Sequence, residues 1–306
     1  MIGGGRVKST VMKSALLKSA LLKPVVITGV STGIGHGTAA ELCRRGYKVF
    51  GSVRTAEHAA SLQRDFGSAF TPLVFDVTDA DAIGRAAATV KAEIGDGGLF
   101  GLVNNAGISD PGPLTALSPD VLRRHFEVNV VGVLHMVQAF LPLLRGGKSH
   151  RPGRIVNISS VSGRIAYPFM GPYAASKHAL EALSDSLRRE LLIYGVDVIV
   201  IQPGAIDTPI WDKAAHLKTT FDGTDYHPVL KGMNLSGERR TALPVSAVTR
   251  RIVDALVLRR PRTRYVVPDR LFRFWLLPRW LPDRWLDRAI DRLLKFQKIR
   301  DDIDRP

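Results

Sequence analysis

Cysteine is almost absent from the chain, since Cys43 is the only one among 306 residues. A single cysteine excludes an internal disulfide and is typical of a reducing compartment. Long apolar runs are also absent: none reaches the roughly 18 residues that a membrane span needs. Lysines interrupt residues 1–23, where a signal peptide would need a continuous apolar segment. We therefore expect a soluble, cytoplasmic protein.

Acidic residues are scarce, and the 28 Asp and Glu against 43 Lys and Arg leave a net charge of +15. The excess is concentrated at the two ends: residues 1–23 hold five basic residues and no acid, and 259–306 hold fourteen against seven Asp. No zinc-finger, RNA-binding or basic-zipper pattern accompanies this charge, so nucleic acid is not an expected partner. The eight histidines show no metal-ligand spacing, and no metal site is predicted.

Short apolar runs rich in β-branched residues alternate with helical patterns through the middle of the chain. The runs are PVVITG, KVFGSV, TPLVFDV, LFGLVNNAG, GRIVNISS and VDVIVIQPG. The helical patterns cover about 34–45, 79–94, 119–145 and 173–194. This alternation predicts an α/β fold: a doubly wound, Rossmann-like parallel sheet in a single domain over residues 24–268. Ligands of such sheets bind at the carboxyl ends of the strands.

A glycine-rich turn, TGVSTGIG, follows the first predicted strand and precedes a helix. Its glycines, Gly29, Gly33 and Gly35, permit a tight turn and a close approach of the backbone to a ligand. The amino terminus of the next helix offers free N–H groups and the positive end of its dipole to a diphosphate. The pattern favours a dinucleotide site, although glycines also serve as plain turn residues.

The second predicted strand ends in Val53 and Arg54, where the adenosine ribose of a bound dinucleotide would lie. An acid at this point would accept from the ribose 2′-hydroxyl of NAD, whereas an arginine suits the 2′-phosphate of NADP. We therefore expect NADP(H) to be preferred over NAD(H), with Ser31 as a second candidate for the phosphate. The alternative is that Arg54 is an ordinary surface arginine.

Five motifs occur in the order and spacing of a known family: TGVSTGIG, NNAG at 104–107, NISS at 157–160, YAASK at 173–177 and PGAIDTP at 203–209. Over about 24–258 the sequence resembles the short-chain dehydrogenase/reductase family. Through VFGSVR and RYVVPD it resembles the branch that contains 17β-hydroxysteroid and retinol dehydrogenases.

The resemblance implies roles for particular residues. Tyr173 would be the catalytic acid/base, Lys177 its partner, Ser160 the donor to the substrate carbonyl, and Asn129 part of a proton relay. Asp76 would cap the adenine. The resemblance further assigns to the cofactor site Gly29, Ser31, Gly33, Ile34, Gly35, Arg54, Asp76, Val77, Asn104, Ala106, Gly107, Tyr173, Lys177, Pro203, Gly204, Ile206 and Thr208, with Thr208 at the carboxamide.

Elementary chemistry supports the Tyr173–Lys177 pair independently. Residues at i and i+4 share one helix face, and two unit charges about 4 Å apart interact by about 4 kcal/mol at an effective dielectric near 20. At about 1.36 kcal/mol per pKa unit, we expect Lys177 to draw the pKa of Tyr173 from about 10 toward neutrality. Such a tyrosine exchanges a proton with an alcohol or its carbonyl partner, and Ser160 can hydrogen-bond the same oxygen.

Residues 209–243 form a less patterned segment that the resemblance identifies as the substrate lid. Ile210, Trp211, Phe221 and Tyr226 could supply apolar contacts there, and 167–172 would form a second wall. These residues favour a hydrophobic alcohol and its carbonyl partner, of steroid-, retinoid- or lipid-like character. They could equally be ordinary packing residues.

The carboxyl-terminal extension, 269–306, is basic and amphipathic. A helix from Pro282 would align on one side Trp285, Leu286, Ala289, Ile290, Leu293 and Leu294. This side could dock on the protein's own domain, on a sister subunit or at a membrane interface, and the three remain open. The resemblance implies a dimer or tetramer.

The sequence therefore predicts an NADP-dependent oxidoreductase acting on CH–OH groups. The alternative is a catalytically silent NADP(H)-sensing or scaffold protein, against which the intact set of Asn129, Ser160, Tyr173 and Lys177 argues.

Overall fold

The fold was analysed in a computed structural model of the chain, which describes residues 23–146, 150–209, 217–233, 239–267 and 280–303. Predictions made for the amino-terminal extension up to residue 22, and for Ile210 and Trp211 of the lid, lie outside these ranges.

A seven-stranded sheet forms the centre of the described structure. Its strands are β1 (Pro24–Ile27), β2 (Lys48–Val53), β3 (Phe70–Val74), β4 (Gly101–Asn104), β5 (Arg154–Ile158), β6 (Asp197–Pro203) and β7 (Arg264–Val267). All neighbours pair in parallel, in the order β3-β2-β1-β4-β5-β6-β7. The predicted doubly wound parallel sheet is confirmed, and its order reverses beside β1. The first six strands correspond to the six apolar runs, and β7 adds an edge strand.

Helices connect the strands. They are α1 (Gly33–Arg44), α2 (Ala56–Phe66), α3 (Ala80–Ile94), α4 (Pro119–Phe126), α5 (Gly132–Leu144), α6 (Gly171–Glu190), α7 (Leu217–Thr220), α8 (His227–Gly232), α9 (Val245–Val257), α10 (Asp283–Leu294) and α11 (Phe296–Ile303). A π-helical turn, Glu127–Val131, joins α4 to α5. The pattern at 119–145 is thus one continuous but irregular helix.

Each face of the sheet is covered by its own apolar core. On one face, Leu42 of α1 and Ile252 of α9 pack with side chains from alternate strand positions. On the other, Ile83 of α3, Phe140 of α5 and Leu180 of α6 form a second cluster. Because the strands are buried on both sides, they read in sequence as nearly continuous apolar runs.

Within the described residues, one helix is long and apolar enough to cross a membrane by length and composition. It covers Pro119–Leu144 and thus includes α4, the π-helical turn and α5. Met136, Val137 and Phe140 on this helix are almost fully buried in the second core cluster. The packing of the domain therefore accounts for its apolar residues.

Candidate active site

The glycine turn between β1 and α1 is shaped by contacts that leave no room for side chains. Gly29 has φ = +71°, a conformation that glycine adopts readily. A Cβ at Gly35 would overlap the backbone oxygen of Gly29 and lie 2.5 Å from Asn105 Nδ2. A Cβ at Gly33 would lie 3.3 Å from Thr208 Cγ2. The turn therefore requires glycine, and it lies beside the loop that follows β6.

The amino terminus of α1 leaves its backbone N–H groups available. Thr32 precedes the helix without a side-chain capping bond, and no acid occurs in the first turn. Free N–H groups at a helix amino terminus attract anions. Ser31 and Ile34, both partly exposed, lie in the same turn. The shape of the turn and its hydrogen-bond donors fit the diphosphate of a dinucleotide.

The end of β2 carries the residues predicted to choose between NAD and NADP. Val53 is 3% exposed, whereas Arg54 points into solvent. Among the residues that the structure describes, no carboxylate is paired with Arg54. The hydroxyl of Ser52 accepts a hydrogen bond of 3.0 Å from the Gly29 backbone N–H, which fixes the glycine turn to the end of β2.

Asp76 and Val77 follow β3 along the same edge. Asp76 Oδ1 accepts from the backbone N–H and the hydroxyl of Thr78, at 3.0 and 2.9 Å. Val77 is buried against Gly132, where a Cβ would lie 3.0 Å from Val77 Cγ2. The local turn thus positions both residues at the carboxyl edge of the sheet.

The two asparagines of the NNAG motif make different hydrogen bonds. The Asn104 side chain is buried inside the sheet, where its Nδ2 donates to Asn157 Oδ1 at 2.8 Å. Asn105 Nδ2 instead donates to the backbone oxygens of Thr28 and Gly29, at 2.9 and 3.0 Å. The Asn104 side chain thus faces the sheet interior and that of Asn105 holds the glycine turn, because successive residues of a strand point to opposite faces. That Asn104 borders the cofactor cleft stays a prediction.

The rest of the motif links the glycine turn to the catalytic candidates. Ala106 packs against Gly29, and its backbone N–H donates to Thr28 Oγ1 at 2.9 Å. A Cβ at Gly107 would lie 3.1 Å from Asn129 Oδ1 and 3.6 Å from Lys177 Nζ. Gly107 therefore keeps the space between those two side chains open.

Ser160, Tyr173 and Lys177 meet at the carboxyl end of β5. The Ser160 side chain lies close enough to the Tyr173 hydroxyl to lower the pKa of the phenol. Lys177 Nζ donates to the backbone oxygen of Ile158 at 2.8 Å and lies 5.6 Å from the centroid of the Tyr173 ring. The three side chains that sequence spacing singled out are thus adjacent.

Burial has the largest effect on the pKa of the Tyr173 phenol. It raises the pKa of Tyr173 above 10, and the Ser160 side chain opposes this rise. Burial also lowers the pKa of Lys177 to about 8, with Glu181 opposing the change. The expectation that Lys177 would draw the pKa of Tyr173 toward neutrality is therefore wrong, because burial removes hydration from the phenolate and raises this pKa.

Asn129 lies in the π-helical turn and is 1% exposed. Its amide exchanges hydrogen bonds with the backbone of Ile108, accepting at 2.9 Å and donating at 3.1 Å. It also donates to Ser176 Oγ at 2.9 Å, and Ser176 donates to the backbone oxygen of Tyr173 at 2.8 Å. Such π-helical turns are frequent at functional sites, and this one joins Asn129 to the helix of Tyr173.

The loop after β6 closes the other side of the cleft. Ser160 Oγ lies 3.5 Å from the backbone oxygen of Pro203, and the backbone N–H of Gly204 donates to Val267 at 3.0 Å. Ile206 is buried and bridges to Leu243. Thr208, which contacts the glycine turn, follows in the same loop. The predicted cofactor residues that follow β1, β2, β3 and β6 thus lie at the carboxyl edge of the sheet, and their contact with a dinucleotide stays a prediction.

The described parts of the lid form a third apolar cluster next to the start of α6. Its buried members are Phe169, Leu217, Phe221, Val229 and Leu230. The Phe169 ring makes an edge contact with Tyr226 at 5.9 Å between centroids. Phe169 also has φ = +67°, which is unusual for a bulky residue and is maintained only where surrounding contacts enforce it.

The carboxyl-terminal extension packs on this cluster. Leu294, Phe296 and Ile299 contact it, and the Phe296 ring lies 6.3 Å from that of Phe169. The predicted helix after Pro282 is observed as α10. Only part of its apolar side packs on the cluster, however, because Trp285 and Leu293 are 63% and 72% exposed.

Sequence reasoning missed three residues of this region: Asn105, Ser176 and Glu181. Asn105 and Ser176 lie inside the NNAG and YAASK motifs, so their positions were visible although their contacts were not. Glu181 follows Lys177 by one helical turn and is 3% exposed. An acid among apolar positions of a predicted core helix was the available signal.

The comparisons with known proteins agree with this site. The chain belongs to the short-chain dehydrogenase/reductase family, since the family model for short chain dehydrogenase matches residues 23–218. The NADPH-dependent 3-dehydrocapnine reductase of Ornithobacterium rhinotracheale is 39% identical, covering 88% of this chain and 96% of the relative.

Two mammalian relatives place the chain near a particular branch. Retinol dehydrogenase 5 of Mus musculus is 35% identical, over 88% of each chain. The 17-beta-hydroxysteroid dehydrogenase type 6 of Homo sapiens is 34% identical, over 88% of this chain and 87% of the relative. The predicted likeness to the retinol and 17β-hydroxysteroid dehydrogenase branch is confirmed.

A solved structure shares the fold. The short chain dehydrogenase/reductase from Burkholderia phymatum, in complex with NAD, superposes with a TM-score of 0.71 at 25% identity, covering 88% of this chain and 95% of the other.

Proposed function

We propose that this protein is an NADP(H)-preferring oxidoreductase that interconverts a hydrophobic alcohol and its carbonyl partner. The observation that carries the proposal is the meeting of Ser160, Tyr173 and Lys177 at the carboxyl edge of the sheet, next to a glycine turn that excludes side chains. Membership of the oxidoreductase family supports it.

The dinucleotide would be held by residues of four strand ends. Its diphosphate would lie on the turn of Gly29, Gly33 and Gly35, its adenosine beside Arg54 and Asp76, and its nicotinamide end near Thr208. When bound, the dinucleotide supplies or accepts the hydride. The remaining chemistry belongs to side chains of the protein.

The Tyr173 hydroxyl donates a proton to the carbonyl oxygen in reduction and accepts one from the alcohol in oxidation. Ser160 donates a hydrogen bond to the same oxygen and so stabilises the charge that develops there. Lys177 places a positive charge beside the phenol, and Asn129 orders the groups that resupply the proton. Burial raises the pKa of Tyr173, so the phenol holds a proton at neutral pH that it can donate in reduction.

The preference for NADP(H) rests on Arg54. It is exposed and follows a strand that offers no acid to the ribose. A relative of known activity is NADPH-dependent by name. The proposed substrate class rests on the apolar lid cluster around Phe169 and Phe221, and on the retinol and steroid dehydrogenases among the relatives.

The proposal predicts turnover of NADPH with a hydrophobic carbonyl. We expect NADPH consumption with at least one of all-trans-retinal, a 17-ketosteroid and a long-chain ketone, and little with small polar ketones. A hydrogen bond to a charged group contributes about 1.5–3 kcal/mol, so kcat/KM for NADPH should exceed that for NADH by about 10–100-fold. Consumption is followed by absorbance.

Replacing Arg54 by Asp tests the cofactor preference within the same assay and should remove the advantage of NADPH. Arg85→Asp makes the same charge change at an exposed position of α3 and should leave the preference intact. Turnover restricted to small polar carbonyls would contradict the substrate class, and an unchanged preference in Arg54→Asp would contradict the role of that residue.

Contact of the carboxyl-terminal extension with a membrane stays a prediction, as does the dimer or tetramer. Trp280, Trp285 and Leu293 are 74%, 63% and 72% exposed, and arginines accompany them, an arrangement typical of interfacial helices. Replacing all three by Ser should reduce co-sedimentation with vesicles containing phosphatidylserine. Replacing the equally exposed Leu192 and Ile193 by Ser should not, and equal sedimentation of both variants would contradict the prediction.

A further inference from the structure

A buried carboxylate lies one helical turn beyond Lys177. Glu181 is on α6, four residues after Lys177 and eight after Tyr173, and only 3% of it is exposed. Charged side chains are almost never buried unless they are paired. The chemistry proposed above does not use Glu181, so its burial needs a separate explanation.

Glu181 joins three elements that surround the site. Its Oε1 accepts from Gln202 Nε2 of β6 at 2.9 Å. Its Oε2 accepts from Arg264 Nε of β7 at 2.9 Å and from Arg164 Nη2 at 3.3 Å. Arg164 lies four residues after Ser160. The carboxylate thus connects the helix of Tyr173 and Lys177 to β6, to the first residue of β7 and to the segment that follows Ser160.

Glu181 and Lys177 share one face of α6, because they are four residues apart on this helix. Lys177 is 4% exposed and has one strong partner, the backbone oxygen of Ile158, which is neutral. Burial therefore favours the uncharged amine, and Glu181 is the group that raises the pKa of Lys177 against this effect. Of the other titratable groups near this pair, the Tyr173 ring lies 5.6 Å from Lys177 Nζ, and Arg164 and Arg264 bond Glu181.

We propose that Glu181 is a positioning residue that keeps the buried Lys177 side chain in its ammonium form. This inference rests on the function proposed above, in which the ammonium lies beside the Tyr173 phenol. Glu181 touches neither the phenol nor the proposed substrate oxygen. It acts through Lys177, by its charge and by fixing the helix that carries both residues.

Asp185 offers a matched control. It lies one turn further along α6, and Arg264 Nη2 is 2.9 Å from its Oδ1. Glu181→Gln and Asp185→Asn each remove one carboxylate partner of Arg264 and preserve the shape of the side chain. A purely structural role predicts for each variant a loss of stability that does not narrow near pH 8, whereas a role in charging Lys177 predicts that narrowing in Glu181→Gln alone.

The first readout is the free energy of unfolding in urea as a function of pH, which needs no turnover. Burial lowers the pKa of Lys177 from its ordinary value of 10.5 to about 8 in the folded protein. The cost of burying its charge is therefore complete below pH 8 and declines as the pH rises from about 8 to 10.5. In Glu181→Gln the folded pKa falls further, so this decline begins at lower pH.

The stability deficit of Glu181→Gln relative to the wild type should therefore be larger at pH 6–7 and narrow as the pH rises through about 8, where Lys177 becomes neutral in both proteins. The deficit of Asp185→Asn should not narrow in that window. When Lys177 is replaced by Met in both proteins, the stability deficit caused by Glu181→Gln should no longer narrow as the pH rises.

The second readout is the pH dependence of NADPH turnover. Turnover declines at alkaline pH, and the midpoint of this decline, the alkaline limb of the profile, should lie about one pH unit lower in Glu181→Gln than in the wild type. Asp185→Asn should have the same midpoint as the wild type. Glu181→Asp, which retains the charge, should also keep it.

Two results would overturn the inference. One is a stability deficit of Glu181→Gln that does not change with pH. The other is an alkaline limb of turnover that is displaced as far in Glu181→Asp as in Glu181→Gln. If Glu181→Gln is too unstable to measure, Glu181→Asp decides by the position of its limb and of its stability window. Absence of turnover in the wild type would contradict the proposed function alone, because the unfolding experiment still reports the pairing of Glu181 with Lys177.

Discussion

Replacing Tyr173 by Phe should lower kcat by about 10²–10⁴-fold, the range that general acid–base catalysis contributes, while NADPH still binds. The substitution removes only the hydroxyl, which carries the proton and lies near Ser160. The ring remains, so the packing of α6 and the 5.6 Å approach of Lys177 are preserved. Turnover is measured with the most active carbonyl of the panel, and NADPH binding by its fluorescence.

Tyr47→Phe serves as the control for this result. Tyr47 is also partly buried, and burial raises its pKa, but it lies between α1 and β2, against Phe100. Removing its hydroxyl should leave kcat unchanged. Near wild-type turnover in Tyr173→Phe would mean that the tyrosine is not the acid, and loss of NADPH binding would mean that the variant disturbs the cofactor site instead.

The two readouts of Tyr173→Phe also separate the proposed enzyme from the sensing protein that the sequence left as an alternative. A sensor needs the dinucleotide site, with its glycine turn and Arg54, but gains nothing from a phenol beside Ser160 and Lys177. Turnover in the wild type that disappears in the variant therefore favours catalysis. NADPH binding without turnover in either protein would favour sensing.

The parts of the fold that depend on local pattern were predictable. Runs of β-branched residues gave six strands, because parallel strands buried on both faces leave little room for polar residues. The strand β7, Arg264–Val267, was missed as a secondary-structure element because four residues at a sheet edge give a short signal. The helix α2, Ala56–Phe66, was missed between two confidently predicted strands.

Within the site, spacing located Tyr173 and Lys177 but not their electrostatics. The i, i+4 relation guarantees that the two side chains share a face, and the structure agrees. The pKa of the phenol depends on how much water the fold removes from it, which no local pattern contains. The same limit explains why adjacent asparagines, Asn104 and Asn105, could not be assigned to the sheet interior and the glycine turn.

Long-range pairs were outside the reach of sequence reasoning. Glu181 and Arg264 are 83 residues apart in sequence and 2.9 Å apart in the fold. Their meeting follows from β7 lying beside β6 and from α6 packing across that edge. A single sequence shows an isolated acid and one of many arginines, and only the topology makes them partners.

Replacing Gly35 by Ala should weaken NADPH binding by about 10²-fold and lower the free energy of unfolding by about 1–3 kcal/mol, the cost of overpacking. The new methyl would overlap the backbone oxygen of Gly29 and crowd Asn105 Nδ2. Both atoms belong to the hydrogen bonds that hold the turn, at 3.0 Å between Asn105 and Gly29. The Gly29 oxygen belongs to the backbone, and two hydrogen bonds hold Asn105 Nδ2 in place, so the turn itself must shift.

Gly84→Ala is the control for Gly35→Ala, since it makes the same substitution inside α3, where no atom lies within 4 Å of the new methyl. Alanine is a better helix former than glycine by about 0.8–1 kcal/mol, so this variant should be more stable than the wild type and bind NADPH equally well. Opposite effects of the same substitution on the free energy of unfolding would separate the steric effect at Gly35 from the gain in helix propensity at Gly84. If Gly35→Ala bound NADPH like the wild type, the glycine turn could not be the diphosphate site, and the assignment of the cofactor to this edge would be wrong.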